Sequence, residues 1–152
     1  MKLAVYIGLL RAGEKALAQS FRQLAEGHGD EPDVYHLCHT LAGQSEEHER
    51  LLTPIVERYG EQPDDEPERF RADAMSESRT GALALLRDLQ DVHMLACFVD
   101  TTWTVVKQGA LALRDEELLG VATRCEQQTK LQHDWLSTRI KQAAPQALLV
   151  SS

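Results

Sequence analysis

The sequence has little of what marks several large classes of protein. Aromatic residues make up only 5% of its 152 residues, whereas β-sheet proteins are usually rich in aromatic and β-branched side chains. The 16 basic residues are outnumbered by 24 acidic ones, giving a formal net charge of −8. Binding to phosphates needs clustered Lys and Arg, so this charge argues against a large nucleic-acid surface. We expect neither nucleic acid nor an anionic membrane as a partner.

Cysteines are few, and no hydrophobic run is long. The three cysteines, Cys38, Cys97 and Cys125, form no CxxC pair and lie in apolar helical contexts, so we expect buried thiols. No stretch is long enough to cross a membrane. The apolar opening segment runs directly into Arg11 without a convincing small-residue cleavage site. We therefore expect a cytoplasmic protein that folds without a metal ion or a disulfide.

What the chain does have is apolar residues spaced by threes and fours, as one face of a packed α-helix requires. Its 43% hydrophobic and 26% charged residues, rich in Ala, Leu, Glu, Gln and Arg, fit a single all-α domain. The spacing predicts four helices, over residues 2–28, 33–59, 80–113 and 115–144. Residues 145–152 form an apolar tail, which we expect to dock on the bundle or on a neighbouring subunit.

Two of the predicted connections are tight and one is long. Residues 30–33 end one helix and start the next, with Pro32 suited to a first helical turn. Asp115 is a natural N-cap for the fourth helix. Residues 60–79 are too polar and too often interrupted by proline for a long element. This order predicts an antiparallel four-helix bundle with the 60–79 segment running along its outside. The long apolar helices also predict a homo-oligomer, most simply a twofold dimer.

Few polar residues interrupt or flank the predicted core stripes, and these are the candidate functional residues. Six of them carry groups that bind metal ions and lie near the midpoint of their helix: Glu14, His48, His93, Asp100, Glu126 and His133. Antiparallel packing would bring them to a common level. Because an unpaired buried carboxylate is strongly destabilising, such a polar layer needs internal partners or an ion.

The chain resembles the ferritin-like superfamily, whose di-iron and di-manganese members carry a Glu on each of two helices and Glu-x-x-His on each of the other two. The resemblance implies a long crossover between the second and third helices. Glu14 matches the lone Glu of the first helix, and SEEH at 45–48 keeps the His of the second-helix motif. Asp100 or His93 is the nearest substitute for the Glu of the third helix, and EQQT at 126–129 keeps a Glu without its His.

Three interpretations of this partial ligand set stay open. In the first, Glu14, His48 and Glu126 form a buried hydrogen-bonded layer that fixes the helix register and binds nothing. In the second, they hold one ion together with His133 or His93, and nitrogen and oxygen donors of this kind suit Fe, Mn or Zn. In the third, the bundle centre holds a small molecule. In each of them we expect His48 to lie buried within hydrogen-bonding reach of Glu14 or Glu126.

The function expected from the sequence is that of a ferritin-like bundle protein with a degenerate central Glu/His site, either non-catalytic or weakly metal-binding. One alternative is a redox enzyme with one or two metal ions and an altered ligand set. Another is a helical protein–protein interaction module. The chain has no GxSxG motif, no phosphate-binding glycine loop and no cysteine paired with a nearby His at a helix start. Whether the protein is an enzyme stays open at this point.

Overall fold

A computed structural model describes residues 1–60 and 81–150 of the chain, and four long helices make up nearly all of them. They are α1 (Lys2–Gly27), α2 (Pro32–Tyr59), α3 (Ala82–Leu113) and α4 (Glu116–Pro145), followed by a short π-helical turn at Gln146–Val150. These ranges contain no strand, so the predicted all-α class and four-helix bundle are confirmed. None of the described helices has the length and hydropathy that crossing a bilayer requires.

Local sequence signals explain where the helices begin and end. Pro32 lies in the first turn of α2, where its missing N–H is not needed, and Gly60 ends that helix with a φ of 82°. Asp115 caps α4, because its side chain accepts a hydrogen bond from the backbone N–H of Leu118 at 3.1 Å. Arg114, with a φ of 56°, takes the left-handed conformation that turns the chain from α3 into α4.

Each helix packs against two neighbours. α1 contacts α2 and α3, and α4 contacts α3 and α2. Among the described residues the backbones of α1 and α4, and those of α2 and α3, do not approach within a Cα–Cα distance of 8 Å, so these two pairs lie on the diagonals of the bundle. α1 and α3 are antiparallel: His28, just after α1, bonds Asp88 near the start of α3, whereas Leu3 packs against Gly109 near its end.

The end of α2 and the start of α3 lie at opposite ends of the bundle. Arg58 and Tyr59, in the last turn of α2, donate hydrogen bonds to Asp115 at the start of α4. The start of α3 lies instead beside His28 and the turn between α1 and α2. α2 and α3 therefore run parallel. The predicted course of residues 60–79 along the outside of the bundle lies, apart from Gly60, outside the described residues.

The core is one apolar cluster that receives side chains from all four helices. Trp103 is its largest fully buried side chain. Burial of apolar surface contributes about 25 cal/mol per Å², which makes this cluster the main source of stability. Cys38 and Cys125 are buried in it as predicted, but the prediction is wrong for Cys97, which is only half-buried. Cys97 lies at the edge between α3 and α4, off the buried face of α3.

The C-terminal turn packs on the bundle through one residue. Ala147 is buried, and the turn contacts both α3 and α4. The next three side chains point away from the core: Leu148, Leu149 and Val150 are 65%, 83% and 69% exposed. Of the predicted docking tail, the part nearest to α4 thus packs against the same chain, whereas residues 148–150 are exposed.

Candidate functional site

Glu14 and His48 meet in the centre of the bundle. Both side chains are fully buried, and Nδ1 of His48 lies 2.7 Å from Oε2 of Glu14. The indole N–H of Trp103 donates to the same oxygen at 2.8 Å, and Nε2 of His48 lies 2.6 Å from Oε1 of Gln128. The network therefore takes one residue from each helix. The prediction that His48 is buried beside Glu14 is confirmed.

The surroundings of His48 favour its charged form. Both ring nitrogens face acceptor oxygens, an arrangement in which only a doubly protonated ring donates twice. Burial alone lowers the pKa of His48, but hydrogen bonds to Cys125 and Glu14 and the charge of Glu14 outweigh burial and raise this pKa to about 10. An imidazolium has no free lone pair to offer a metal ion. Glu14 and His48 therefore form a buried ion pair in which both ring nitrogens of His48 are engaged in hydrogen bonds.

Stability is expected to depend on pH through this pair. The folded-state pKa of His48, about 10, lies above the ordinary value of 6.5 that applies to the unfolded chain. Its contribution is thus fully present below about pH 6.5 and is lost as the pH rises through about 10. The difference in unfolding free energy between the wild type and His48→Gln, measured by urea denaturation, should shrink from about pH 6 to about pH 10. A constant or growing difference would contradict the charged pair.

Glu126 and His133 do not belong to this central layer. The residues of α4 that are fully buried include Leu118, Ala122, Cys125, Thr129, Gln132 and Leu136. Cys125 and Gln132 thus hold the core positions predicted for Glu126 and His133, which are half-buried. Steps of three and of four residues both satisfy helical spacing, and the packing favours the side chains that cost less to bury. Of the two glutamates expected within reach of His48, Glu14 is the one that lies beside it, whereas Glu126 bonds Lys107 and Thr104 of α3.

A second cluster lies at the edge between α3 and α4. His93 and Cys97 are four residues apart on α3, and His133 faces them from α4, with its ring centroid 4.5 Å from that of His93. One donor atom from each of the three residues lies within 4.8 Å of the others. Within residues 1–60 and 81–150 this is the one such group of three His, Cys, Asp or Glu side chains. All three residues are half-buried.

The surroundings of Cys97 do not favour a cysteine nucleophile. Burial and the neighbouring His133 lower the pKa of His93, and burial raises the pKa of the Cys97 thiol. The sulfur of Cys97 lies 3.9 Å from Nδ1 of His93, but a weak base beside a protonated thiol is a poor catalytic pair. Nε2 of His93 is buried and has no hydrogen-bond partner among residues 1–60 and 81–150. A divalent ion bound here would take one lone pair from each imidazole and would displace the thiol proton.

A polar pocket of about 560 Å³ adjoins the cluster in the groove between α3 and α4. Its ionisable lining residues are Asp100, Lys107, Glu126, Lys130, His133 and Asp134, and the remaining three are uncharged polar side chains. Lys107 and Thr104 donate to Glu126 at 3.3 Å and 3.2 Å. Burial and the negative charge of Glu126 raise the pKa of Asp100. His133 is common to the cluster and the pocket, so the two features are continuous.

Sequence reasoning missed a second buried pair at one end of the bundle. Nε2 of His28 lies 2.8 Å from Oδ2 of Asp88, and both side chains are buried. The pair ties the turn after α1 to the first turns of α3. His28 lies outside the helices, and Asp88 is next to the core residue Leu89 rather than on the predicted stripe. In the sequence, the pair was indicated only weakly, by the position of the charged residue Asp88 next to the predicted core stripe of the third helix.

The six residues predicted for one central site divide between two places. The centre holds Glu14 and His48, and the groove between α3 and α4 holds His93, Asp100, Glu126 and His133. Comparison with models of protein families, with curated proteins and with solved structures finds no match to this chain. Function has to be inferred from the residues and their geometry.

Proposed function

We propose that the chain is a ferritin-like helical bundle that binds one divalent transition-metal ion at the α3–α4 edge, through His93, Cys97 and His133. One observation carries the proposal: three donors lie within 4.8 Å of one another, and one of them, His93, has a buried nitrogen without a partner. The helix directions support the ferritin-like part, because neighbouring helices are antiparallel while α2 and α3 are parallel on a diagonal. A long crossover between the second and third helices requires that arrangement.

Two imidazoles and one thiolate favour Zn²⁺ among the ions expected from the sequence. Manganese prefers carboxylate and water oxygens, and the thiolate is a better ligand for zinc. Zinc is commonly held by three protein ligands with a fourth position open to water or a ligand. His93 and Cys97 stand at i and i+4, the spacing that places two donors on one side of a helix.

The dinuclear carboxylate centre of ferritin-like oxidases does not fit these residues. At the centre, Glu14 and His48 bind each other, and α3 offers the indole of Trp103 at that level rather than a glutamate. The proposed ion at the α3–α4 edge is a single one with a nitrogen and sulfur donor set. The proposed function is therefore metal binding at the edge of the bundle, and not oxidation chemistry in its core.

Titration with Co²⁺ tests the proposal, because this ion takes the same sites as Zn²⁺ and its spectrum reports its ligands. We expect one equivalent to produce a thiolate charge-transfer band and the visible bands of a tetrahedral complex. Zn²⁺ should then abolish both by displacement. Cys97→Ser should remove the charge-transfer band. His93→Ala and His133→Ala should each weaken binding by about 100-fold or more, since even second-shell changes cost up to that factor.

Two matched variants control for loss of a histidine or a thiol elsewhere. His36 is an exposed histidine of α2, and Cys38 is a buried thiol of the same helix, which lies diagonal to α3. Co²⁺ should bind His36→Ala and Cys38→Ala with unchanged spectra. A thiolate band that persists in Cys97→Ser, or equal binding by His133→Ala and the wild type, would refute the site.

A further inference from the structure

We infer that the polar pocket beside this site binds a small zwitterion of the amino-acid class, whose carboxylate takes the open coordination position of the ion. The inference rests on the proposed metal site. His133 is a member of the donor cluster and also lines the pocket. A molecule in the pocket would therefore lie against His133 and within reach of an ion held by that residue.

The charges of the pocket match a ligand that carries both signs. The described residues of its lining comprise three carboxylates and two lysine ammonium groups, a net charge of −1. Zn²⁺ with one thiolate and two neutral imidazoles adds +1, because the thiolate cancels half of the ionic charge. Pocket and ion together are thus neutral. A ligand with a net charge would leave that charge unbalanced in a partly buried groove, whereas a zwitterion would not.

Some charged side chains of the pocket lie beside partners within the protein, and we assign two others, Asp100 and Lys130, to the ligand. Lys107 lies 3.3 Å from Glu126, and Oδ1 of Asp134 lies 3.5 Å from Nδ1 of His133. Asp100 is one helical turn beyond the ligand Cys97, and Lys130 is one turn before the ligand His133. We assign Asp100 to the ammonium group of the ligand and Lys130 to its metal-bound carboxylate.

The size and lining of the pocket define the ligand further. Among the described residues the lining consists of charged and polar side chains, so an apolar molecule would cover polar groups without giving them partners. The volume of about 560 Å³ lies within the range of small-molecule sites, about 300–1,000 Å³. It exceeds what the two charged ends of an amino acid need. A polar side chain or a second residue would fill the remainder.

The experiment uses the full chain loaded with Co²⁺ and three probes: L-alanine, acetate and ethylammonium. We expect L-alanine to shift the visible Co²⁺ bands with an apparent Kd about 10-fold below that of acetate, because only alanine adds an ammonium group for Asp100. Ethylammonium, which has no donor for the ion, should cause no shift. Asp100→Asn should weaken alanine binding about 10-fold and leave acetate binding unchanged, whereas Lys130→Gln should weaken both.

Exposed charges on other elements provide the controls. Asp30→Asn and Lys15→Gln change side chains outside the groove and should leave all three titrations unchanged. Equal affinities for alanine and acetate would overturn the inference, and so would the absence of any shift in Co²⁺-loaded protein. In both cases the metal site would stand. If no Co²⁺ complex forms, the metal site itself fails and the inference fails with it.

Discussion

Glu14→Ala is expected to lower the free energy of unfolding by about 3–5 kcal/mol, the cost of removing one partner from a buried ion pair. The variant leaves the imidazolium of His48 fully buried without its counter-charge. It also leaves the indole N–H of Trp103 without an acceptor. Urea denaturation followed by circular dichroism at neutral pH measures the loss. Glu14→Gln keeps the shape and one acceptor oxygen and should cost less than Glu14→Ala.

A matched control lies on the same two helices. Glu26 of α1 and His39 of α2 also form a Glu–His contact, at 2.8 Å, but the side chain of Glu26 is 66% exposed. Water screens that pair, so Glu26→Ala should cost less than about 1 kcal/mol. The two substitutions remove the same side chain from the same helix and differ in burial. Similar losses for the two variants would show that the central pair is not a buried ion pair.

The buried faces of the first three helices could be predicted because long apolar side chains mark them. On α4, where most residues between Ala122 and Leu136 are small or polar, the same spacing wrongly placed Glu126 and His133 in the core. A step of four from Ala122 reaches Glu126 and a step of three reaches Cys125, and helical geometry allows both. The thiol behaves as a small hydrophobe, whereas a buried carboxylate needs a partner. Weighing those two costs at each step would have selected the face that the structure shows.

The spacing of two of the three residues in the edge cluster could be recognised in the sequence. His93 and Cys97 stand four residues apart, and donors at that spacing share one side of a helix. The third member could not be predicted, because His133 faces them only at one register of α4 against α3. The turn at Arg114 and the cap at Asp115 set that register, and sequence patterns predict helix ends only to within a few residues. The pair of His28 and Asp88 depends in the same way on the level at which two helix ends meet.

The central network and the edge cluster differ in how far each one holds the bundle together without an ion. The central network of Glu14, His48, Trp103 and Gln128 joins all four helices through three hydrogen bonds, although Oε1 of Glu14 has no partner among the described residues. The edge cluster joins only α3 and α4, and Nε2 of His93 likewise has no partner among the described residues. An ion at the edge would therefore add stability to a chain that is already folded.

Zn²⁺ is accordingly expected to raise the free energy of unfolding by about 4 kcal/mol at a free concentration roughly 1,000 times its Kd. In chelator and reductant the helical circular dichroism should persist, because the apolar core receives side chains from all four helices and the cysteines of the described chain are free thiols.

Urea denaturation with and without Zn²⁺ measures the increment, and His36→Ala, which alters an exposed histidine, should retain it. His93→Ala and His133→Ala should lose most of it, because each lacks one of the two imidazole donors. Loss of most of the helical signal in chelator would contradict folding without metal. An equal increment in His133→Ala would show that the ion binds elsewhere, since that variant no longer joins α4 to the donors of α3.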